Sequence, residues 1–280
     1  MFGLAWYHYM AITVLSANIL FLGVGGAIHY HYYYRKRQQD KQWKMQPGKY
    51  LSQRLARHAA FWGIFNMNIA SAAFGFLGWG VLEHGWSQLY FDFNDYSYGW
   101  AALSVFLAFL FIEASAYYIH AAGHTPFLYK HIHQRHHYYT APTFFTISAM
   151  HPLEWIVHAS YIIAPAFLFP MHWSLYLLVM MTTFFYGFWD HAGIKLGFNL
   201  PFHGCNKFHD DHHKYFHVNF GFMTPIFDRI HNSVRREGHH YTEFSFGHDK
   251  SRVRLKELGE KAIGPWVDYE SSWNERDNNN

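Results

Sequence analysis

The sequence predicts an all-α integral membrane protein, with about four transmembrane helices or hairpins and a cytoplasmic histidine-rich helical domain. Three observations carry this prediction. Apolar residues gather into long runs, the loops between the runs differ sharply in charge, and many of the 24 histidines recur three and four residues apart. Mean hydropathy is only -0.15. That average misleads, because histidines and tyrosines lower it while the apolar residues stay clustered.

A helix crossing the bilayer needs ~20 apolar residues. The first run spans Leu4 to Ile28 and has no basic segment before it, so it reads as an uncleaved anchor. The second, Ala59 to Leu82, is rich in Gly and Ala, which suits close helix packing. The third spans Trp100 to Ile119. The fourth, Trp155 to Trp189, is too long for one span and is interrupted by Pro165, Pro170 and His172. It is expected to form a re-entrant hairpin of two helices, entering and leaving on one side.

Loop charge sets the orientation. Arg35 to Arg57 holds eight Lys or Arg, whereas Glu83 to Tyr98 holds none and carries Glu83, Asp92 and Asp95. The basic loop should stay cytoplasmic, and the third helix then returns to that side at His120. Three regions follow: anchor helices with a basic loop over 1–110, a histidine-box catalytic domain over 111–231, and a polar cytoplasmic tail over 232–280. The last residues of the tail are expected to be disordered.

Composition excludes several classes. A net charge of +3 with no basic groove motif gives no reason to expect nucleic acid. Cys205 is the single cysteine, so neither an intrachain disulfide nor an iron–sulfur cluster is possible. No His-Glu-X-X-His occurs, which argues against a zinc hydrolase. A bis-histidine haem protein would need isolated histidines facing one another inside helices. A membrane metal-binding or transport protein is the non-enzyme alternative, and it would place polar residues along the middle of the spans.

The histidines fall into three boxes: His120-X3-His124, His133-X2-His136-His137 and His209-X2-His212-His213. Residues three and four apart lie on one face of a helix, so each box is expected to aim two or three imidazoles at one spot. Imidazole suits Zn, Cu, Ni and Fe. The boxes supply eight ligands and His191 a ninth. Zinc takes four ligands in all, so nine crowd even two zinc ions. A dinuclear site of higher coordination accommodates them, but the spacing does not name the metal. Glu113, Asp190, Asp210 and Asp211 are candidates to orient an imidazole through its other nitrogen, with plain solvation the competing reading. His131, His151, His203, His217 and Asn219 lie nearby and are expected to act in support. His29, His31, His239 and His240 read as interfacial or solvated. The aromatics around Phe144-Phe145 and Phe184-Phe185-Tyr186 are candidates to wall an apolar substrate channel, or simply to pack.

The order of the boxes resembles the fatty acid hydroxylase superfamily, which includes sterol desaturases and methylsterol monooxygenases. Tyr129-Lys130-His131-Ile132-His133, His151-Pro152-Leu153-Glu154, Asp190-His191-Ala192-Gly193, Asn219-Phe220-Gly221 and Phe227-Asp228-Arg229-Ile230 match its supporting segments. The likeness covers roughly Phe111 to His231. Ala121-Ala122 departs from it inside the first box, where the family often has Arg and a large apolar residue. The resemblance implies an oxygen-dependent monooxygenase or desaturase with two iron ions, molecular oxygen as co-substrate, and no catalytic residues beyond the metal ligands. It also implies electrons from NAD(P)H through a cytochrome b5-type donor and its reductase, and an endoplasmic-reticulum location in a eukaryote. The donor is expected to be a separate protein, docking on the basic surface. The His-Pro-Leu-Glu and Asp-His-Ala-Gly segments look most like sterol C-4 methyl monooxygenases, and the Pro142-Thr143-Phe144 neighbourhood looks like sterol C-5 desaturases. Fatty-acid or sphingolipid hydroxylation shares the same boxes.

Overall fold

A computed structural model describes residues 2–195, 206–236, 241 and 243. His203, Cys205, His239, His240 and nearly all of the tail lie outside the described residues. Among the described residues, three helices are long and apolar enough to cross a membrane: α1 (Trp6–Arg35), α2 (Gln53–His84) and α3 (Tyr98–Gly123). Each runs past the apolar stretch that predicted it. Tyr and His score as polar yet continue a helix, so α1 carries on to Arg35 and α3 extends through His120.

Small residues and paired polar groups hold α1 against α2. A Cβ on Gly75 would lie 2.6 Å from the Met10 Cα, so only glycine admits that approach. Beside it Thr13 Oγ1 donates to Ser71 O at 2.7 Å, and Asn18 Nδ2 donates to Asn68 Oδ1 at 2.7 Å. Such bonds act as glue where lipid supplies no hydrophobic drive. Ser52 and Ser97 cap α2 and α3 by accepting from Leu55 N and Trp100 N. Gly85, at φ 66, ends α2 in the left-handed conformation that glycine adopts freely.

After α3 come α4 (Pro126–His131) and a 3₁₀ turn over His133–Tyr138. The expected hairpin follows as α5 (Pro152–Ile163) and α6 (Trp173–His191). Pro152 sits in the first turn of α5, where its missing N–H costs nothing, and His151 Nδ1 accepts from Leu153 N. Both outer ends of the hairpin lie at the histidine end, as expected. Its tip reaches the opposite end of the bundle. There β1 (Leu89–Tyr90) pairs in parallel with β2 (Met171–His172), a short exception to the all-α expectation. Gln88 N donates to Ala166 O at 2.9 Å, Trp100 Nε1 donates to Pro170 O at 3.0 Å, and Phe93 stacks on His172. At 1.5 Å per residue α6 is about 28 Å long, close to the hydrocarbon thickness.

α7 (Asn206–Tyr215) and α8 (Ile226–Ile230) close the histidine end. Asp228 is fully buried and accepts from Phe220 N, Gly221 N and Ser233 Oγ, which fixes the loop between them. The basic segment is not uniformly solvated. Lys44 is 1% exposed, between Tyr33 and Tyr50, and burial pushes its ammonium down to about 8.

Candidate metal centre

His120 lies in the last turn of α3 and His124 caps it. His133, His136 and His137 occupy the 3₁₀ turn, His209, His212 and His213 lie on α7, and His191 ends α6. The structure brings all nine together as two sets. His120, His124, His133, His137 and His212 form one; His136, His191, His209 and His213 form the other. Within each set the candidate ligand atoms lie within 4.8 Å of one another.

The second and third boxes do not each converge on one spot, as the spacing had led us to expect. Both are split between the two sets. Adjacent residues on a helical or 3₁₀ turn project about 100–120° apart. His136 and His137 therefore serve different sets, and so do His212 and His213.

The nitrogen geometry fits metal ions. Two imidazole nitrogens bound at right angles, about 2.0–2.1 Å from one ion, are about 3 Å apart. In the first set His137 Nε2 lies 3.0 Å from His133 Nε2, 3.2 Å from His124 Nε2 and 3.0 Å from His212 Nε2. In the second, His191 Nε2 lies 3.3 Å from His136 Nε2 and 2.9 Å from His209 Nε2, and His213 Nε2 is 3.1 Å from His209 Nε2. A neutral imidazole carries one N–H. For His120, His212 and His191 that proton is held at Nδ1, which donates to Phe220 O, Val218 O and Gly187 O. Their Nε2 lone pairs are thus left free to ligate a cation. Burial pushes His136, His137, His209, His212 and His213 well below the ordinary histidine range, holding them in the neutral, ligating form.

Further partners orient the rings. Glu154 accepts from His133 Nδ1, with both side chains buried. Nothing in local spacing linked these two residues, and the His-Pro-Leu-Glu resemblance was the available signal. His124 Nδ1 bonds His217 Nδ1 at 2.8 Å, and His217 Nε2 in turn donates to Glu243 O at 2.7 Å. Asp190 Oδ2 lies 3.5 Å from His209 Nδ1.

The other candidates act elsewhere. Glu113 accepts from Met223 N, Thr224 N and Thr224 Oγ1, and so secures a loop rather than a ligand. Asp210 faces Lys44 and Gln46, and burial raises its carboxyl to about 6. Asp211 pairs with Lys207 and Arg235, both at 3.1 Å. These two aspartates share α7 with the ligands but point off their face. His131 is exposed and packs on Phe127, and His151 caps α5. Asn219, at φ 56, donates to Phe208 O and accepts from Arg235 N, which locks the loop after α7.

A cavity touches both sets, through His120 and His133 of the first and His136, His191 and His209 of the second. Its remaining wall, with Ala116, Ile147, Met150, Phe184 and Phe222, is mainly apolar. Of the aromatics expected to wall a channel, Phe184 does so. Phe144 instead stacks on Phe188, Phe145 packs on Phe21, Phe185 faces outward and Tyr186 packs on Phe222.

Residues 105–233, which hold every one of these histidines, match the fatty acid hydroxylase family. This stretch is similar to a fatty acid hydroxylase domain. Rat lathosterol oxidase is 35% identical to the chain over 159 residues, covering 54% of this chain and 52% of the relative. A Delta(7)-sterol 5(6)-desaturase of Candida dubliniensis is 34% identical over 156 residues, covering 55% and 40%. Another, from Schizosaccharomyces pombe, is 27% identical over 198 residues, covering 70% and 65%. The matched part of the chain thus spans about half the length of the first of these relatives. No solved structure gives a significant match. The matched stretch takes in α4 to α8 and most of α3, so the α5–α6 hairpin and the histidine-bearing turns fall within one match.

Proposed function

We propose that the chain is an oxygen-dependent di-iron oxidase of membrane sterols, with desaturation at sterol C-5 as its reaction. One observation carries the reading: two buried histidine sets of ligand geometry open onto a single, mainly apolar cavity. The first set offers five imidazoles and the second four, which leaves positions for oxygen on metals of five- or six-fold coordination. The bound iron pair would supply oxygen activation and the electrons' entry to the C–H oxidation. The chain's own residues hold the ligand tautomers through Phe220 O, Val218 O, Gly187 O and Glu154, and wall the cavity against water.

The C-5 assignment rests on relatives named lathosterol oxidase and Delta(7)-sterol 5(6)-desaturase. It takes precedence over the C-4 methyl oxidation that the His-Pro-Leu-Glu segment suggested. The basic Arg35–Arg57 segment supports a cytoplasmic face for the site and docking of an acidic cytochrome b5-type donor there. A sterol substrate and an electron chain of that kind would suit the endoplasmic reticulum of a eukaryotic cell. Purified protein should hold about two irons per chain, and cells lacking it should accumulate the C-5 saturated sterol. His136→Ala should abolish turnover. An active preparation holding zinc alone, or full activity in that variant, would sink the reading.

A further inference from the structure

Away from the metal ligands the cavity wall carries one hydrogen-bonded polar pair whose oxygen keeps unused capacity. His158 and Tyr161, one turn apart on α5, both line the cavity, and His158 Nδ1 lies 2.9 Å from Tyr161 Oη. Thr183 also lines it, but its hydroxyl is spent on Val179 O at 2.8 Å. Trp155, on the same face of α5, adds its ring to the wall.

The direction of the His158–Tyr161 bond follows from its neighbour. Glu154 Oε1 lies 3.8 Å from His158 Nε2. With a carboxylate on that side the neutral imidazole carries its proton on Nε2 and presents Nδ1 as an acceptor. The phenol O–H is then donated to His158 Nδ1. A phenol oxygen is both donor and acceptor, so with its proton committed it can only accept from a cavity ligand. A hydrogen-bond donor on an otherwise apolar ligand would satisfy that oxygen.

We propose that Tyr161 Oη is the specificity-determining acceptor for the hydroxyl of an alcohol-bearing lipid, with His158 positioning it. This deepens the sterol reading and rests on it for the identity of the lipid. Two alcohols fit the chemistry, a rigid sterol alcohol and a linear long-chain alcohol.

The test uses the iron-loaded full chain in phosphatidylcholine nanodiscs. Equilibrium binding is measured for 5α-cholestan-3β-ol, its 3-methyl ether and 5α-cholestan-3-one, and in a second arm for octadecanol and octadecyl methyl ether. The chain should bind at least one alcohol about tenfold more tightly than its ether, and cholestanol should likewise exceed the ketone. A preference in the sterol arm or in the linear arm identifies the lipid. Tyr161→Phe should bring the alcohol down to the ether's affinity while the ether's own affinity and the iron content hold. His158→Ala frees the phenol proton, so it should raise affinity for the ketone and narrow the alcohol preference. The proposal fails if Tyr161→Phe keeps the preference, if ketone and alcohol bind alike, or if no probe binds saturably. Alcohol preference in a protein that holds no iron or does not turn over would overturn the oxidase reading alone. Two irons and turnover without the preference would overturn this inference alone.

Discussion

Glu154→Ala removes the carboxylate that accepts from His133 Nδ1. His133 is 3% exposed and Glu154 8%, so bulk water does not replace the lost acceptor. A buried donor left unpaired costs about 1–3 kcal/mol. At about 1.4 kcal/mol per factor of ten, that is about 5- to 150-fold in the affinity of a metal that His133 would hold. Outer partners of metal-bound histidines are worth about 10–100-fold, in agreement. The loss should fall on one centre, because His133 belongs to the five-histidine set and His209, with Asp190 nearby, belongs to the other. Anaerobic protein loaded with ferrous iron is titrated with a chromogenic chelator, and iron release is followed spectroscopically. One release transition should move by about one to two powers of ten in chelator concentration while the other holds. If both move together, or neither moves, the assignment of Glu154 to a single centre is wrong.

Sequence neighbours should behave as members of different centres: His212→Ala should disturb the same chelator transition as Glu154→Ala, and His213→Ala the other. Gly187→Leu should keep the iron but lower sterol turnover at least tenfold, as roughly expected for a blocked pocket. A Cβ there already meets Ile147 Cδ1 at 2.9 Å, and the longer side chain projects into the cavity. Glu113→Ala should leave both iron transitions in place yet destabilise the fold by roughly 1–3 kcal/mol, since it strands the three donors of Met223 and Thr224; thermal unfolding measures this. Asn18→Leu breaks a bond between α1 and α2, and should cost about 0.6–2 kcal/mol in a detergent-unfolding assay.

Much of this molecule was legible before its structure. Three spans follow from apolar length, and the nine histidines that form the two sets are those picked out by spacing and by resemblance. The distribution between sets was not legible, because it depends on how α3, α6, α7 and the 3₁₀ turn meet. Carboxylates were the weakest inference. Asp210 and Asp211 stand beside ligands in sequence but turn to Lys44 and Arg235, whereas Glu154, 21 residues from His133, reaches it through the fold. Proximity along a helix says little about a side chain whose partner arrives from another element. The depth of the hairpin was hidden for a related reason. Its tip is placed by pairing with Leu89–Tyr90, two residues with no periodic signal.

The divided His-His pairs have a mechanical consequence. His136 and His137 are joined by one peptide unit and serve different centres, as are His212 and His213. Consecutive Cα atoms are about 3.8 Å apart whatever the surrounding helices do. Each adjacent pair therefore ties one set to the other through a single peptide unit, twice over. Neither set can shift far without drawing on the other, like rungs held between two rails.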